Sequence, residues 1–211
     1  MTKTKLSYIL DYFDELYPDV KGELLYTQDY ELLIAVVLSA QATDKQVNIV
    51  TTKLFSEHQT FESLLKLTIK DFEYYFRSLG LFRNKSKHVY ELIRLLKENY
   101  HSKVPSDKEA LLTLPGVGVK TANVVRAELF KIPEIAVDTH VARVSKRLGF
   151  AKWSDNVTII ERKLRKALPT ERYIKTHHQM IHFGRYFCKA QNPNCKKCQL
   201  VAVCLEPNKN L

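Results

Sequence analysis

Apolar residues recur along this chain with the spacing of amphipathic α-helices, i, i+3, i+4, i+7. Three segments show it most clearly: Leu6, Ile9, Leu10, Phe13 and Tyr17; Val89, Leu92, Ile93, Leu96 and Tyr100; and Val157, Ile160, Leu164 and Leu168. The run LLIAVVL at 32–38 is apolar on every side, which is typical of a buried helix. No pair of alternating strands occurs. The pattern therefore predicts an all-α fold of about ten short helices.

Residues that favour helix N-caps mark several boundaries between these segments. They are Thr60, the pair Ser106-Asp107, and Asp155. Glycine and proline are scarce, with 6 and 7 residues, and they stand between the helical segments. We expect tight connecting loops and no tandem repeat.

The net charge of the chain indicates that this helical protein has a polyanionic partner. Thirty-three Lys and Arg against 23 Asp and Glu give a net charge of +10. Such an excess favours nucleic acid, although it also serves solubility alone. No secretion signal and no apolar run of roughly 20 residues is visible, so we expect a cytoplasmic protein without a membrane span.

The segment LPGVGVKTANVV at 114–125 has the composition of a turn followed by a helix. Gly116 and Gly118 permit backbone conformations that other residues avoid, and they let a ligand approach the main chain. The next helix is expected to begin near Val119, which leaves unpaired N–H groups at its start for an anion such as a DNA phosphate. Val119 separates Gly118 from Lys120, so this is not a nucleotide P-loop. A plain helix–turn–helix connector is the alternative.

Lys120 and Asp138 are the candidate chemical groups. Lys120 falls in the first turn of the helix after the glycines, where the helix dipole and nearby burial would favour a neutral amine that can act as a nucleophile. An ordinary solvated or phosphate-binding lysine is the alternative. Asp138, in IAVDTHVARV, has the pattern of an N-cap. A capping carboxylate stays ionised, and such a charge stabilises a developing cation.

Four cysteines lie within the last 24 residues in the spacing C-x6-C-x2-C-x5-C: Cys188, Cys195, Cys198 and Cys204. In a reducing compartment, disulfides are the weakest explanation for such a cluster. Thiolates favour a soft metal centre, either an iron–sulfur cluster or zinc. Zinc sites usually pair two short C-x2–4-C arms, whereas this segment has one short arm and two long gaps.

Taken together, LLIAVVLSAQATD, LPGVGVKTA, VDTHVARV and the cysteine segment resemble the endonuclease III family of the helix-hairpin-helix DNA glycosylases. The resemblance covers essentially the whole chain. It implies two helical domains that flank a DNA-binding cleft, with Lys120 and Asp138 facing each other across it. The helix-hairpin-helix would lie in a six-helix domain at 22–133. A four-helix domain at 1–21 plus 134–211 would hold a [4Fe–4S] cluster on the four cysteines.

The resemblance also implies the reaction. The partner would be double-stranded DNA that contains oxidised pyrimidines or abasic sites, bound by a monomer associated with the nucleoid. The damaged nucleotide would be flipped out of the duplex. Lys120 would attack C1′, the base would leave, and the resulting Schiff base would permit β-elimination. Asp138 would stabilise the positive charge on the sugar and assist deprotonation of the lysine.

Further residues are assigned by the same motifs. Gln41 would fill the space that the flipped nucleotide vacates, and Leu81 would act as an apolar wedge, with core packing as its alternative. Gly116, Val117 and Gly118 would contact the DNA backbone. Four histidines invite a metal assignment, but their family counterparts are not ligands and helix packing is the better explanation: His140, His177, His178 and His182.

Two other functions are compatible with part of this pattern. An adenine mismatch glycosylase of the same superfamily would share the hairpin and the cysteines, but Lys120 argues against it, as does the short segment that follows Cys204. A non-catalytic DNA-binding module would use the hairpin and the metal centre as scaffold only. Strand cleavage on abasic DNA distinguishes the module from the enzyme.

Overall fold

Helices account for all the regular secondary structure in residues 2–211, which the computed structural model describes. The prediction of an all-α fold is confirmed. The α-helices are α1 (Lys3–Leu16), α2 (Asp29–Leu38), α3 (Asp44–Glu57), α4 (Phe61–Leu65), α5 (Ile69–Phe76), α6 (Phe82–Tyr100), α7 (Lys108–Leu112), α8 (Val119–Phe130), α9 (Thr139–Leu148), α10 (Val157–Ala167) and α11 (Tyr173–His182). A π-helical turn follows at Phe183–Phe187, and 3-10 turns lie at Thr170–Arg172, Cys195–Lys197 and Gln199–Ala202.

The chain divides into two compact units. One is the contiguous segment Glu23–Phe130, which holds α2–α8, and the other joins the residues up to Gly22 with Lys131–Leu211. Each unit has its own apolar core. The second unit is therefore assembled from segments at the two ends of the sequence.

Helix α2 is the centre of the contiguous unit. Nine of its residues, from Tyr30 to Leu38, are buried, which explains why this stretch is apolar on all sides. It packs against α3, α6 and α8. A capping box fixes its start, because the Glu31 carboxylate accepts hydrogen bonds from the Thr27 and Gln28 backbone amides at 2.6 and 3.1 Å.

Helix α6, the longest at 19 residues, shows how the apolar stripe selects the buried face. Val89, Leu92, Ile93 and Leu96 are all 0 % exposed. Its remaining positions carry mostly polar and charged residues. Within residues 2–211, no helix combines the length and the apolar character needed to cross a membrane.

Helix α1 completes the core of the second unit from the opposite end of the chain. Ile9 and Phe13 are fully buried, and the Phe13 ring lies 5.2 Å from that of Phe183. Two polar contacts add to this packing. Lys5 Nζ donates to the Val203 carbonyl at 2.8 Å, and the Tyr8 hydroxyl donates to the Gln199 carbonyl at 2.8 Å.

Side-chain caps begin two of the helices at positions that the sequence predicts. Thr60 caps α4, where its Oγ1 accepts from the Ser63 amide at 3.2 Å. Asp107 caps α7, where its Oδ1 accepts from the Ala110 amide at 2.8 Å. Both predictions are confirmed.

The predicted start of α10 is wrong by one residue. Asn156 is the cap, and Asp155 instead forms an ion pair with Lys163 at 2.5 Å. Asn and Asp cap about equally well, so the adjacent pair leaves the choice to tertiary contacts. Val157, predicted on the buried face, is 55 % exposed because it lies at the first, solvent-facing position of the helix.

Candidate active site and nucleic-acid interface

The turn between α7 and α8 holds the glycines of the predicted hairpin, and each has a distinct environment. Gly116 has φ +78°, and a Cβ there would stand 2.8 Å from Val37 Cγ1 and 3.2 Å from His88 Cβ. Only glycine fits this position. Around Gly118, a Cβ would meet nothing within 4 Å. The hairpin is thus packed tightly at its first glycine and open at its second.

Helix α8 begins at Val119, as predicted, and its first turn follows directly from the open glycine. The Gly118 carbonyl accepts from the Ala122 amide at 2.9 Å, which makes Gly118 the residue that precedes the helix. The first amides of a helix have no intrahelical acceptor and carry the positive end of its dipole. Val117 is buried at 8 % exposure, and its amide donates to the Leu114 carbonyl at 3.1 Å, so the open part of the hairpin begins at Gly118.

Lys120 is the second residue of α8, and its side chain is exposed. The burial near Lys120 that was expected to add to the effect of the helix dipole is not found, so that part of the expectation is wrong. Lys120 does lie in the first turn of α8, as predicted, near the positive end of the helix dipole. An exposed amine beside open backbone amides is accessible to a phosphodiester chain.

Asp138 is the N-cap of α9, as its sequence pattern predicts. Its Oδ1 accepts from the Val141 amide at 2.7 Å, and its carbonyl accepts from the Ala142 amide at 2.9 Å. The buried stretch 135–137 leads into it. The carboxylate is held at the start of the helix, next to the positive end of the helix dipole. Asp138 belongs to the unit that contains α9, whereas Lys120 belongs to Glu23–Phe130.

Gln41 and Leu81 lie on neighbouring loops of the same unit. Both have left-handed backbone conformations, with φ of +56° and +57°, which are uncommon for residues other than glycine. A Cβ on Gly80 would stand 3.8 Å from the Gln41 carbonyl oxygen, so the two loops are adjacent. Leu81 is 56 % exposed, which rules out the core-packing alternative.

All four cysteines line one cavity. It is partly open to solvent, and its wall also includes the apolar side chains of Leu148, Phe183, Phe187 and Leu200. Burial raises the pKa of Cys188, and it raises the pKa of Cys198 to about 11. A bound metal ion deprotonates a coordinating thiol outright and so opposes this effect.

The side chains that line this cavity supply the donor atoms that an iron–sulfur cluster requires. Four thiols in a largely apolar wall match the ligands of an iron–sulfur cluster, and none of them is in a disulfide. Within residues 2–211, no three His, Cys, Asp or Glu side chains are grouped as ligands of a metal ion.

Two arginines of α9 contact the cysteine segment, and no sequence motif predicts these contacts. Arg143 donates to the carbonyls of Cys188 and Gly184 at 3.2 and 2.6 Å. Arg147 donates to the Cys188 Sγ at 3.3 Å. Their i, i+4 spacing predicts that both lie on one face of the helix. It does not predict which segment of the chain that face contacts.

The four histidines that invited a metal assignment make contacts with their own surroundings. His177 Nδ1 lies 2.9 Å from the Ala136 carbonyl oxygen, and the His177 and His178 rings pack edge to face at 5.1 Å. His182 Nε2 lies 3.2 Å from the Lys21 carbonyl oxygen. His140 Nδ1 lies 3.3 Å from a guanidinium nitrogen.

Comparison with known proteins gives the same family over nearly the whole chain. A profile described as "HhH-GPD superfamily base excision DNA repair protein" matches residues 34–170. Endonuclease III of Bacillus subtilis (strain 168) is 44 % identical over 97 % of this chain and 94 % of its own length. Endonuclease III of Escherichia coli (strain K12) is 42 % identical over 97 % and 96 %.

A solved structure of a trapped endonuclease III–DNA covalent intermediate superposes with a TM-score of 0.93. Its sequence is 48 % identical, and the match covers 98 % of this chain and 97 % of that one. Sequence and fold thus agree over nearly the whole chain. The chain belongs to the HhH-GPD superfamily of base excision DNA repair proteins, in the endonuclease III family.

Proposed function

We propose that this chain excises oxidised pyrimidines from double-stranded DNA and cleaves the strand at the abasic site through a lysine Schiff base. The observation that carries the proposal is the exposed amine of Lys120 in the first turn of the helix that follows the hairpin. A relative that is trapped as a covalent intermediate with DNA supports a protein nucleophile. We further propose that it acts as a monomer in the cytoplasm, in association with the nucleoid.

Lys120 supplies the nucleophile in this proposal. Its neutral amine forms a bond to C1′, and the bond from C1′ to the base breaks, with the electron pair leaving on the base, which takes up a proton. Nitrogen loses a proton, and its lone pair forms the C=N bond of the protonated imine while the C1′–O4′ bond breaks with its electron pair on O4′, which takes up a proton. Loss of a C2′ proton then expels the 3′ phosphate and breaks the strand. Water hydrolyses the imine and restores the amine.

Asp138 supplies the opposing charge. The sugar becomes cationic as the base departs, and a fixed carboxylate stabilises that charge without reorganising. The hydrogen bond from the Val141 amide to Oδ1, at 2.7 Å, holds it in place. The same carboxylate would help to remove the proton from the attacking amine.

Gln41 and Leu81 would serve the extrusion of the damaged nucleotide. Their loops are adjacent, both residues are exposed, and Leu81 presents an apolar side chain of the kind that separates stacked bases. A polar side chain at Gln41 suits the hydrogen-bonding edges of the bases. Gly116, Val117 and Gly118 would form the hairpin that contacts the adjoining phosphates, with the open backbone at Gly118 and the start of α8 nearest to them.

The cysteine segment would hold a [4Fe–4S] cluster through Cys188, Cys195, Cys198 and Cys204. Bound there, the cluster would cross-link the segment as a structural or redox centre. Lys189, Lys196 and Lys197 are exposed on the same segment, which suits contact with phosphate.

Borohydride trapping tests the nucleophile on a duplex that contains one thymine glycol. The wild-type protein should form a reduced covalent complex, and Lys120→Ala should form none. Lys70→Ala is the matched control, because Lys70 is also the exposed second residue of a helix, α5. It should trap as the wild type does. Trapping by Lys120→Ala at the wild-type rate would identify a different amine and refute the assignment.

A further inference from the structure

We propose that Arg147 is a positioning residue for the iron–sulfur site. Its side chain joins the two ends of the cysteine loop (188–206) and raises the reduction potential of the iron–sulfur cluster bound there. The inference rests on the proposed cluster. It adds a role for residues outside the cysteine set, Arg147 and its partner Glu206.

Arg147 fastens the first end of the cysteine loop from the last turn of α9. Its Nη1 donates to the Lys189 carbonyl at 2.7 Å and to the Cys188 carbonyl at 3.3 Å, and its Nη2 reaches the Ala190 carbonyl at 3.4 Å. Three successive carbonyls of the loop therefore converge on one guanidinium. A planar fork of five donors is suited to such a task.

The other end of the loop reaches the same residue. Arg147 Nε donates to Glu206 Oε2 at 2.6 Å, and the Arg147 carbonyl accepts from the Leu205 amide at 2.6 Å. Glu206 and Leu205 directly follow Cys204. One arginine thus holds the segments that carry the first and the last cysteine.

Arg147 also contacts a cysteine sulfur, so its positive charge affects the reduction potential of the cluster. Arg147 Nη1 lies 3.3 Å from Cys188 Sγ, and the residue is only 7 % exposed. A cation at this depth is weakly screened by solvent. Reduction adds negative charge to a thiolate-ligated centre, and a neighbouring cation that donates to a ligand sulfur stabilises the reduced form.

Glu206 has the opposite charge at a similar depth, with a side chain 11 % exposed. Its backbone amide donates to Cys204 Sγ at 3.4 Å, so the residue stands beside the ligand set. Its carboxylate therefore lowers the potential that Arg147 raises. Neutralising Arg147 and neutralising Glu206 should therefore shift the reduction potential in opposite directions. A purely structural role for the two residues does not predict this difference in sign.

Protein-film voltammetry under anaerobic conditions tests the proposal. Arg147→Gln should lower the midpoint potential and Glu206→Gln should raise it. Each should change the ratio of oxidised to reduced protein about tenfold at fixed potential, which is about 59 mV for a one-electron couple. Lys146→Gln is the matched control, because it removes the same charge from the adjacent residue and leaves the donors to Cys188 in place. It should leave the potential unchanged.

Arg147→Lys separates charge from geometry. Lysine keeps the cation but lacks the fork, so the potential should stay close to that of the wild type while iron is lost to a chelator faster. If Arg147→Gln retains no iron, the comparison of Glu206→Gln with the wild type decides the question. Equal midpoint potentials in Glu206→Gln and the wild type would overturn the inference. Shifts of the same sign in Arg147→Gln and Glu206→Gln would also overturn it. Wild-type protein without iron and sulfide would instead refute the proposed cluster, and the inference with it.

Discussion

Gly116 lies against Val37 so closely that a Cβ on the glycine would stand 2.8 Å from Val37 Cγ1. Gly116→Ala should therefore destabilise the protein by about 2–4 kcal/mol, from the left-handed backbone and from the overlap with Val37. Urea unfolding followed by circular dichroism measures the loss. DNA affinity should fall as well, because the turn between α7 and α8 would shift.

Gly118→Ala should separate stability from binding. A Cβ at this position meets no protein atom within 4 Å, so the free energy of unfolding should change by no more than about 0.5 kcal/mol. The added methyl would point into the space where we expect the phosphate, and affinity for a duplex, measured by fluorescence anisotropy, should fall. Unchanged affinity would show that DNA does not approach the hairpin at this residue.

Asp138→Asn should slow base release by about 10²–10³-fold, because the variant loses the charge that opposes a cationic transition state. Asparagine also caps helices, so stability should be nearly unchanged. On a duplex with a preformed abasic site, the variant should still form the trapped complex, more slowly. Single-turnover release of thymine glycol measures the first effect.

The control for this substitution is Asp107→Asn, which changes the carboxylate that caps α7 in the same way. It should leave base release at the wild-type rate. Equal effects of the two substitutions would reduce Asp138 to a structural cap.

The affinity for DNA should fall steeply with salt, because the chain carries a net charge of +10 and exposes three lysines on the cysteine segment. Each phosphate contact contributes about −0.9 to the slope of log K against log salt concentration. Lys196→Gln should make this slope shallower by about 1, whereas Lys97→Gln, in the last turn of α6, should leave it unchanged. A slope near zero for the wild type would contradict electrostatic binding.

Stability should decline in acid through Asp14, which links α1 to residues before and within α11. Arg172 donates to both carboxylate oxygens at 2.8 and 3.0 Å, and these bonds hold the pKa of Asp14 below its ordinary 3.8; Lys175 and Gln179 add to the effect. Because the folded pKa is depressed, the contribution is fully present above about pH 4 and is lost as the pH falls below it. The carboxylate is 37 % exposed, so solvent screening keeps the contribution small.

Asp14→Asn should consequently flatten the acid limb of a plot of melting temperature against pH. Asp19→Asn removes an exposed carboxylate from the same terminal segment and should leave that limb as it is in the wild type. An acid limb of unchanged steepness in Asp14→Asn would exclude this network as its cause.

Anaerobically purified protein should be yellow-brown and contain about four irons and inorganic sulfide. Removal of the metal by a chelator should lower the melting temperature, because ligation energy contributes to folding. The cavity is lined by Cys188, Cys195, Cys198 and Cys204, so a Cys→Ala change at any of them should reduce iron retention. Stoichiometric zinc without iron or sulfide would contradict the assignment.

Local patterns in the sequence predict much of this molecule, because a helix face or a cap depends on residues within a turn or two. The stripe on α6, the caps at Thr60 and Asp107, and the start of α8 at Val119 follow from such rules. Asp155 and Asn156 show their limit, since two good caps stand side by side and an ion pair with Lys163 decides between them.

Other features depend on partners that are remote in the sequence. Arg147 and Glu206 are 59 positions apart, and no local pattern pairs them. Lys85 is only 3 % exposed, and Leu81 is 56 % exposed, the reverse of what each residue type indicates. Leu81 is the left-handed residue that precedes α6, and Lys85 lies one turn later in that helix, so the fold rather than hydropathy sets their exposure.

The division of the chain also has a consequence for the order of its biosynthesis. Glu23–Phe130 is contiguous in the sequence, so this unit can fold as soon as it has emerged from the ribosome, before the rest of the chain is made. Helix α1 is translated before this unit but cannot complete its packing until after it, because its contacts Phe183, Gln199 and Val203 follow the unit in the sequence. Until then its apolar face has no native surface to bury against, so the nascent chain passes through an interval in which an early helix needs protection from aggregation.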